Sequence, residues 1–341
     1  MSTDQTTSTK RGASQRRGRV SKDSPPAVWL ARLGAVFVLV QAIVYLRWIF
    51  SDKFVSTPSG PDAVPGSTIA WIRFWEIGCV VGGVIFLGWI ARKANRDKEL
   101  PAIGVFVVAW LLAAWQDVGV NAIRPVFAYN SGFVNRGTWA EFIPGWVVKG
   151  AENPQPIIYF LASYIVLTPL AIMGIDQAIA WIRRVVPRIN TAGVIFVMLV
   201  MFTVLDIVLE QYFHRIGLWT YLRVNHDWSL FTGTLFQFPL YEGIVFGGVV
   251  SVLSIAIYCF RDEDGKMITD AGIEQVRNKR AVPVVRILAL TAVFNLIMLV
   301  FNLGFNLVNQ HADTQPAEPV PSYLHHEMCG VGPNPPCPPR P

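Results

Sequence analysis

The chain has 341 residues, of which 52% are hydrophobic and only 15% are charged. The apolar residues are concentrated in runs long enough to cross a bilayer, for which about 20 residues are needed. A soluble protein built from such runs would need helices with charged outer faces, yet the run Val194–Val204 carries no charge. Composition therefore excludes an ordinary soluble domain and predicts an integral membrane protein.

Seven apolar runs predict an all-α fold, a polytopic membrane bundle of seven transmembrane helices within residues 27–310. The predicted spans are roughly Val28–Phe50, Ile69–Ala91, Ile103–Val120, Pro156–Ala180, Thr191–Phe213, Gly233–Phe260 and Val284–Asn309. The sixth run is longer than a bilayer requires, so it tilts, kinks at Pro239 or begins in the interface. The first run lacks a suitable cleavage site and is predicted to be a retained span.

Lysine and arginine alternate between rich and poor connections along the chain. The N-terminal tail and the second, fourth and sixth loops are rich in them, and the other loops are poor. By the positive-inside rule this predicts a cytoplasmic N-terminus and a C-terminus outside, in a multi-pass protein of a bacterial plasma membrane. The net charge of +6 then reflects topology and contact with anionic membrane lipid, so no nucleic-acid partner is expected.

The two tails differ in composition from the membrane domain. Residues 1–26 are basic and Ser/Thr-rich and are predicted to be disordered. Residues 311–341 form a Pro-rich outer tail, which we expect to be extended and unpacked. Its Cys329 and Cys337 either form a disulfide in an oxidising compartment or stay unpaired, and both alternatives are open. The oligomeric state is also open.

Carboxylates inside the apolar runs are the strongest functional signal. Asp117, Asp206, Glu210 and Glu242 all lie near the predicted outer end of their runs, as does Glu76. A charge in hydrocarbon costs about 2.5 to 3.5 kcal/mol on insertion scales. Burying four at one depth is hard to explain without a ligand, an ion or catalysis, so we predict one polar cavity. For Glu76 a structural ion pair with Arg73, one turn earlier, is an equal alternative.

The spacing of polar residues predicts which of them share a face. Asp206, Glu210 and His214 follow at i, i+4 and i+8 on the fifth span, and Asp117 and Asn121 are four apart on the third. Asp206, Glu210 and His214 could supply metal ligands, but the chain lacks the Glu-x-x-His pairs of diiron bundles. We therefore predict no metal site and no cofactor.

The asparagines of the seventh span have a structural interpretation. Asn295, Asn302 and Asn306 lie on roughly one face of that span. Amides within membrane spans more often form interhelical hydrogen bonds than bind ligands.

Two outer loops interleave aromatic residues with amides and charges. They are the third loop, residues 121–155, and the fifth loop, HRIGLWTYLRVNHDWSLF. An aromatic belt at the headgroups accounts for only two or three of these aromatics, so we predict a lid or cavity wall. The candidate substrate-binding residues are Gln116, Asn121, Tyr129, Asn130, Asn135, Trp139, His214, Trp219, Tyr221, Gln237 and Tyr241.

Neighbouring carboxyls in a dry pocket predict proton-driven chemistry. Burial favours the neutral form of a carboxyl, which can donate a proton while an ionised neighbour stabilises a cation. Dehydration, ketal formation and isoprenoid cyclisation all proceed in this way. Aromatic faces such as Trp139, Trp219 or Tyr241 would help to hold the cation.

The stretch WQDVGVNAIRPVFAYNSGFVNRGTWAEFIPGW resembles the signature of the AveC family of membrane spirocyclases. The resemblance continues in LDIVLEQYFHRIGLWTY and FQFPLYEG and omits both tails. It implies an enzyme that forms a spiroketal on a polyketide and dehydrates it. The residues that it assigns to the family motif are Gln116, Asp117, Asn121, Tyr129, Asn130, Asn135, Trp139 and Trp146.

A second resemblance is to small membrane carotenoid cyclases and hydratases. It rests on Gly217-Leu-Trp219-Thr-Tyr221 and Pro239-Leu-Tyr-Glu242. The predicted function is a membrane cyclase or dehydratase of secondary metabolism, acting on a lipophilic polyketide or isoprenoid with catalytic Asp117, Asp206, Glu210 and Glu242. The alternative is a non-catalytic lipid-binding or transport protein, although transporters tend to show internal repeats and polar groups near mid-membrane.

Overall fold

The structure, a computed structural model, describes residues 25–148, 153–312 and 319–326. The predicted disorder of the basic tail and the pairing of Cys329 and Cys337 lie outside these residues. Seven described helical stretches are long and apolar enough to cross a membrane: Pro26–Ile49, Gly66–Asp97, Ala102–Asn121, Ile157–Val185, Thr191–Arg215, Leu240–Cys259 and Lys279–Asn309. The prediction of an all-α, seven-span membrane bundle is confirmed.

Prolines set the starts of most helices in the bundle. Pro25, Pro65, Pro101, Pro156 and Pro239 each occupy the position just before a helix. Proline disfavours a helical conformation in the residue before it, so the chain is extended up to each start. The α-helices are α1 (Pro26–Ile49), α2 (Gly66–Asp97), α3 (Ala102–Leu111), α4 (Ile157–Val185), α5 (Thr191–Arg215), α6 (Leu240–Glu242), α7 (Ser251–Cys259), α8 (Val282–Asn309) and α9 (Ser322–His325).

The third span is not a regular α-helix throughout. It begins as α3 and continues as a 3₁₀ segment, Ala114–Asn121. The prediction that Asp117 and Asn121 share a helix face is wrong, because a 3₁₀ helix has three residues per turn. A residue four positions further along such a helix is rotated by about 120° beyond one full turn, so the two side chains point in different directions.

The sixth span is irregular as well. It begins with the single turn α6, continues as a π-helix over Gly243–Val250 and ends as α7. Residues 233–239 precede the helix, so the excess length of the predicted sixth span belongs to the loop before it. Of the alternatives considered for that run, the structure shows a helix that starts directly after Pro239.

The bundle is organised around α3 and α8. The third span is the most buried of the seven, and α8 packs along α1, α3 and the 3₁₀ segment. Helix α2 packs on α4, whereas α5 packs on the π-helical stretch of the sixth span. Gly34 allows α1 to touch α8 closely, since a Cβ there would lie 1.9 Å from the carbonyl oxygen of Leu288.

Three long loops meet at one end of the bundle, which we name the loop end. The described residues of these loops are 50–65, 122–148 with 153–156, and 216–239, and the other end carries the connections 98–101, 186–190 and 260–281. Strand β1 (Phe127–Tyr129) pairs antiparallel with β2 (Trp219–Tyr221), and β3 (Ser229–Leu230) pairs with β4 (Phe238–Pro239). The β1–β2 pair joins the third loop to the fifth across the top of the bundle.

The described part of the C-terminal tail is packed onto the loop end. The main-chain N–H of Ser131 donates to the carbonyl of Tyr323 at 3.0 Å, and the His326 ring lies 2.9 Å from the carbonyl of Tyr129. Asp62 accepts from the N–H of Ser322 at 2.7 Å. The expectation of an unpacked tail is therefore wrong for residues 319–326.

A reporter fusion tests the predicted orientation of this bundle. A reporter that works only in the cytoplasm should be silent when fused after Asn309, because the Arg/Lys bias places that end outside. The matched control is a fusion after Lys98, in the Arg/Lys-rich connection between α2 and α3, which should be active. Strong activity after Asn309, at equal amounts of protein, would contradict the predicted topology.

Candidate active site

One cavity of about 320 Å³ lies between the middle of the bundle and the loop end. Its walls come from α3, the 3₁₀ segment, α4, α5, the β1–β2 pair and the sixth span. Asp117, Asp206, Glu210 and Glu242 all line it. The four acids chosen from the sequence are thus brought together in one cavity, while their catalytic roles remain predictions.

Asp117 is held by two tyrosine hydroxyls. Tyr164 of α4 donates to Oδ1 at 2.9 Å, and Tyr129 of β1 donates to Oδ2 at 3.3 Å. Burial raises the pKa of Tyr129 well above its usual range, with a further contribution from the charge of Asp117. Tyr129 therefore stays protonated and remains a donor, and the carboxyl of Asp117 is fixed in orientation from both sides.

The backbone that carries Asp117 is itself held by α8. The side-chain amides of Asn295, Asn302 and Asn306 donate to main-chain carbonyls of the third span, namely those of Leu112, Gln116 and Gly119 at 3.1, 2.8 and 2.7 Å. The Asn306 oxygen also accepts from the N–H of Ile123 at 3.1 Å. We name these three residues the asparagine ladder, and they have the interhelical role expected from the sequence.

Loss of one ladder residue should destabilise the fold. Asn306→Leu leaves the Ile123 N–H without its partner and removes one of the two donors to the Gly119 carbonyl, which keeps the N–H of Ala122. An unsatisfied buried group costs about 1–3 kcal/mol. We expect a clearly lower Tm in detergent. The control is Leu303→Ala on the same helix, at a side chain that is 60% exposed. Equal Tm values for both variants would contradict this role.

Glu210 has a different environment from Asp117. The indole Nε1 of Trp219 donates to its Oε2 at 2.8 Å, and His214 Nε2 lies 3.5 Å from the same oxygen. The His214 side chain is fully buried and packs against the rings of Tyr221 and Phe238. His214 thus stands behind Glu210 and does not itself line the cavity, although the i, i+4 spacing does bring the two together.

Asp206 and Glu242 form a carboxyl pair across the cavity wall. Their carboxyls interact electrostatically with each other, and both line the cavity. Among the described residues, Asp206 Oδ2 and Glu242 Oε2 have no hydrogen-bond partner. Gly247 makes room for the pair, because a Cβ at that position would lie 2.4 Å from the Cβ of Asp206.

The aromatic wall differs from the one predicted. Trp219 lines the cavity and packs against Phe213, with ring centroids 4.6 Å apart. The indole of Trp139 instead donates to the carbonyl of Trp115 at 2.8 Å in a separate buried cluster, and the hydroxyl of Tyr241 donates to Asn309. Neither Trp139 nor Tyr241 belongs to the cavity wall, so the prediction that they hold a cation has no support in the geometry.

Five predicted binding amides also lie outside the wall. Buried main-chain groups need partners, and short amides in loops commonly supply them. Gln116 donates to Asn295 Oδ1 at 2.7 Å, Asn130 to the Gly217 carbonyl at 2.8 Å and Gln237 to the Tyr221 carbonyl at 2.8 Å. Asn121 accepts from the N–H of Val126 at 2.9 Å, and Asn135 accepts from the N–H of Thr57 at 2.8 Å. Gln116 joins the third span to α8, and the other four amides shape the loop end. Of the predicted binding set only Tyr129, Trp219 and Tyr221 line the cavity.

Glu76 has the structural role that was one of its two predicted alternatives. It pairs with Arg73 and accepts from the N–H of Val134 at 2.7 Å, which anchors the third loop to α2. It is not part of the cavity wall.

Five further polar residues of the fourth and sixth spans line the cavity and were not predicted from the sequence: Tyr159, Ser163, Tyr164, Ser251 and Ser254. The hydroxyls within the run Ile157–Val185 were the available signal, since Tyr159 and Ser163 are four residues apart on one helix face. Among the residues described, no three His, Cys, Asp or Glu side chains are grouped to hold a metal ion.

The fold and the cavity together define a class, a seven-span membrane protein with four carboxyls under a loop-built cap. Residues 97–328 match the protein family described as spirocyclase AveC-like, and the chain belongs to this family. The matched range runs from the last residue of α2 through α9 and includes all four carboxyls. No curated protein and no solved structure matches the chain.

Proposed function

We propose that the protein is a membrane cyclase that closes a spiroketal on a lipophilic, oxygen-rich substrate such as a polyketide. The observation that carries this proposal is the meeting of four carboxyls, in three different environments, in one cavity. Membership in the spirocyclase AveC-like family supports a membrane-associated cyclase. The cavity lies towards the loop end, which faces the outside of a bacterial plasma membrane in this proposal.

The proposed reaction needs only proton transfer. One hydroxyl of a dihydroxy ketone adds to the carbonyl carbon and gives a hemiketal. A carboxyl acid protonates the hemiketal hydroxyl, the C–O bond breaks, water leaves and an oxocarbenium ion forms. The second hydroxyl attacks that carbon and gives its proton to a carboxylate, so the products are a spiroketal and one water. Dehydration shares the first steps, but the cation then loses a proton from the neighbouring carbon. No oxidation state changes overall.

Glu210 is the proposed proton donor and acceptor. Trp219 binds one of its carboxyl oxygens, so the other oxygen is available to a substrate hydroxyl. His214 lies behind the bound oxygen, with its Nε2 3.5 Å from it. A positioned acid–base group of this kind contributes roughly 10²- to 10⁴-fold to rate.

The other carboxyls are the proposed cation stabilisers. In this proposal the neighbouring carboxyls of Asp206 and Glu242 hold one proton between them and offer one negative charge to an oxocarbenium ion. Asp117 offers a second charge whose position is fixed by Tyr129 and Tyr164. The rings of Trp219 and Tyr221 present aromatic faces to the same space, which favours a bound cation.

Replacement of Glu210 by glutamine tests the proposal. Glu210→Gln keeps the shape and can still accept from Trp219, but it cannot give or take the proton. We expect a loss of turnover of roughly 10²- to 10⁴-fold at unchanged protein level. The measurement is the amount of the metabolite that disappears from a deletion strain and returns when the gene is supplied again.

The matched control is Asp227→Asn, the same chemical change at an exposed loop carboxyl outside the cavity. It should restore the metabolite fully. Wild-type product levels with Glu210→Gln would transfer the proton-transfer role to Asp117 or Glu242. Asp206→Asn should also fail to restore the product if Asp206 stabilises the cation.

One observation favours the second candidate, a non-catalytic lipid-binding or transport protein. Two spans depart from α-helical geometry beside the cavity, at the 3₁₀ segment and at the π-helical stretch, and broken helices are frequent at transporter binding sites. Transporters need carboxyls for binding or coupling rather than for product formation. Unchanged chemistry in the amide variants of all four carboxyls would therefore favour this second function.

A further inference from the structure

A wholly apolar groove lies between α4 and α5, on the surface that faces lipid. Its volume is about 690 Å³, and its walls include Gly174, Ala178, Ile182, Met201, Val204 and Val208. Val204 and Val208 are 55% and 60% exposed, so the groove is open towards the bilayer. It runs along α4 from Leu170 to Ile182, about 18 Å at 1.5 Å per residue, which suits an extended alkyl chain.

The groove exists because two consecutive helices barely pack on each other. The turn at 186–190 joins α4 to α5 at one end, but α4 packs on α2 and α3 whereas α5 packs on the sixth span. Small residues in membrane helices normally allow close contact with a neighbouring helix. Here Gly174 faces open space, since a Cβ added there would meet no atom within 4 Å.

The groove and the carboxyl cavity adjoin each other and share part of their walls. Ala171, Phe202 and Leu205 line both of them. Leu205 directly precedes Asp206, so one turn of α5 presents an apolar side chain to the groove and a carboxyl to the cavity. At the cavity end, Glu242 is only 6% exposed and its Oε2 has no partner among the described residues, which suits a polar ligand group.

We infer that the substrate is an amphiphile that enters sideways from the bilayer, with its alkyl chain in the α4–α5 groove and its oxygenated part among the carboxyls. This rests on the proposed function and adds to it the shape and origin of the substrate. The volumes agree with such a division, because the polar cavity is less than half the size of the apolar groove. A substrate drawn from lipid never has to expose its chain to water.

Photolabelling tests the groove without requiring turnover. The probe is a long-chain hydroxy ketone with a diazirine at the far end of its alkyl chain, added to the full-length protein in phosphatidylcholine vesicles. We expect cross-links on α4 and α5 at the groove. Gly174→Leu adds a side chain to the groove at a position where a Cβ meets no atom within 4 Å. It should lower this labelling about tenfold, equivalent to about 1.4 kcal/mol of binding. Ala178→Leu, one helical turn further along the groove, provides a second variant, and Tm measurements verify that both variants fold.

The control for added bulk is Gly88→Leu on α2, at a glycine that also faces open space. It should leave the labelling unchanged. Glu210→Gln should abolish product yet keep the labelling. A failure of the proposed catalytic function can therefore be told apart from a failure of the proposed binding in the groove. Equal labelling of all lipid-facing helices, equal labelling by an alkyl diazirine without the hydroxy ketone, or labelling insensitive to both groove variants would overturn the inference. The groove would then hold membrane lipid only.

Discussion

The architecture of the site depends on the hydrogen bonds from the asparagine ladder to the third span. A 3₁₀ helix makes its own i→i+3 backbone hydrogen bonds, but with poorer geometry than an α-helix. A poorly satisfied backbone group is costly in lipid, so donors from a neighbouring helix stabilise such a segment within a span. Asn295, Asn302 and Asn306 provide those donors from α8. The close fit admits only glycine at 119, since a Cβ there would lie 2.4 Å from the Asn302 amide. This arrangement fixes the backbone from which Asp117 reaches its two tyrosines.

The irregular segments and the regular helix contribute different carboxyls to the cavity. Asp117 comes from the 3₁₀ segment and Glu242 from the turn before the π-helical stretch, whereas Asp206 and Glu210 come from the continuous helix α5. Non-standard helical turns often occur at functional sites because they redirect side chains that a regular helix would place elsewhere. The straight helix sets the distance between its two acids, and the irregular segments bring the other two towards them.

The sequence was sufficient to predict the spans and the carboxyl cluster because both depend on polarity alone. A carboxyl in an apolar run is costly in lipid, so it is expected to face the interior of the bundle or a shared cavity. The amides were harder, because Asn130 and Asn135 bind main-chain groups of the loops, and the position of those groups depends on the fold. The face of Asn121 was mispredicted for a related reason, since its spacing from Asp117 has meaning only once the helix type is known. Glu76 could be assigned only after Val134 was placed.

The free-energy cost of placing four carboxyls in membrane spans distinguishes the two candidate functions better than the shape of the cavity does. Four acids in membrane spans carry an insertion cost of roughly 10–14 kcal/mol before pairing. The tyrosine donors to Asp117 and the indole donor to Glu210 each recover part of this cost in a different way. A site that only holds a lipophilic molecule gains little from three distinct carboxyl environments. Cyclisation through a cation needs a group that donates a proton and others that remain charged, and groups placed in different environments can divide these tasks.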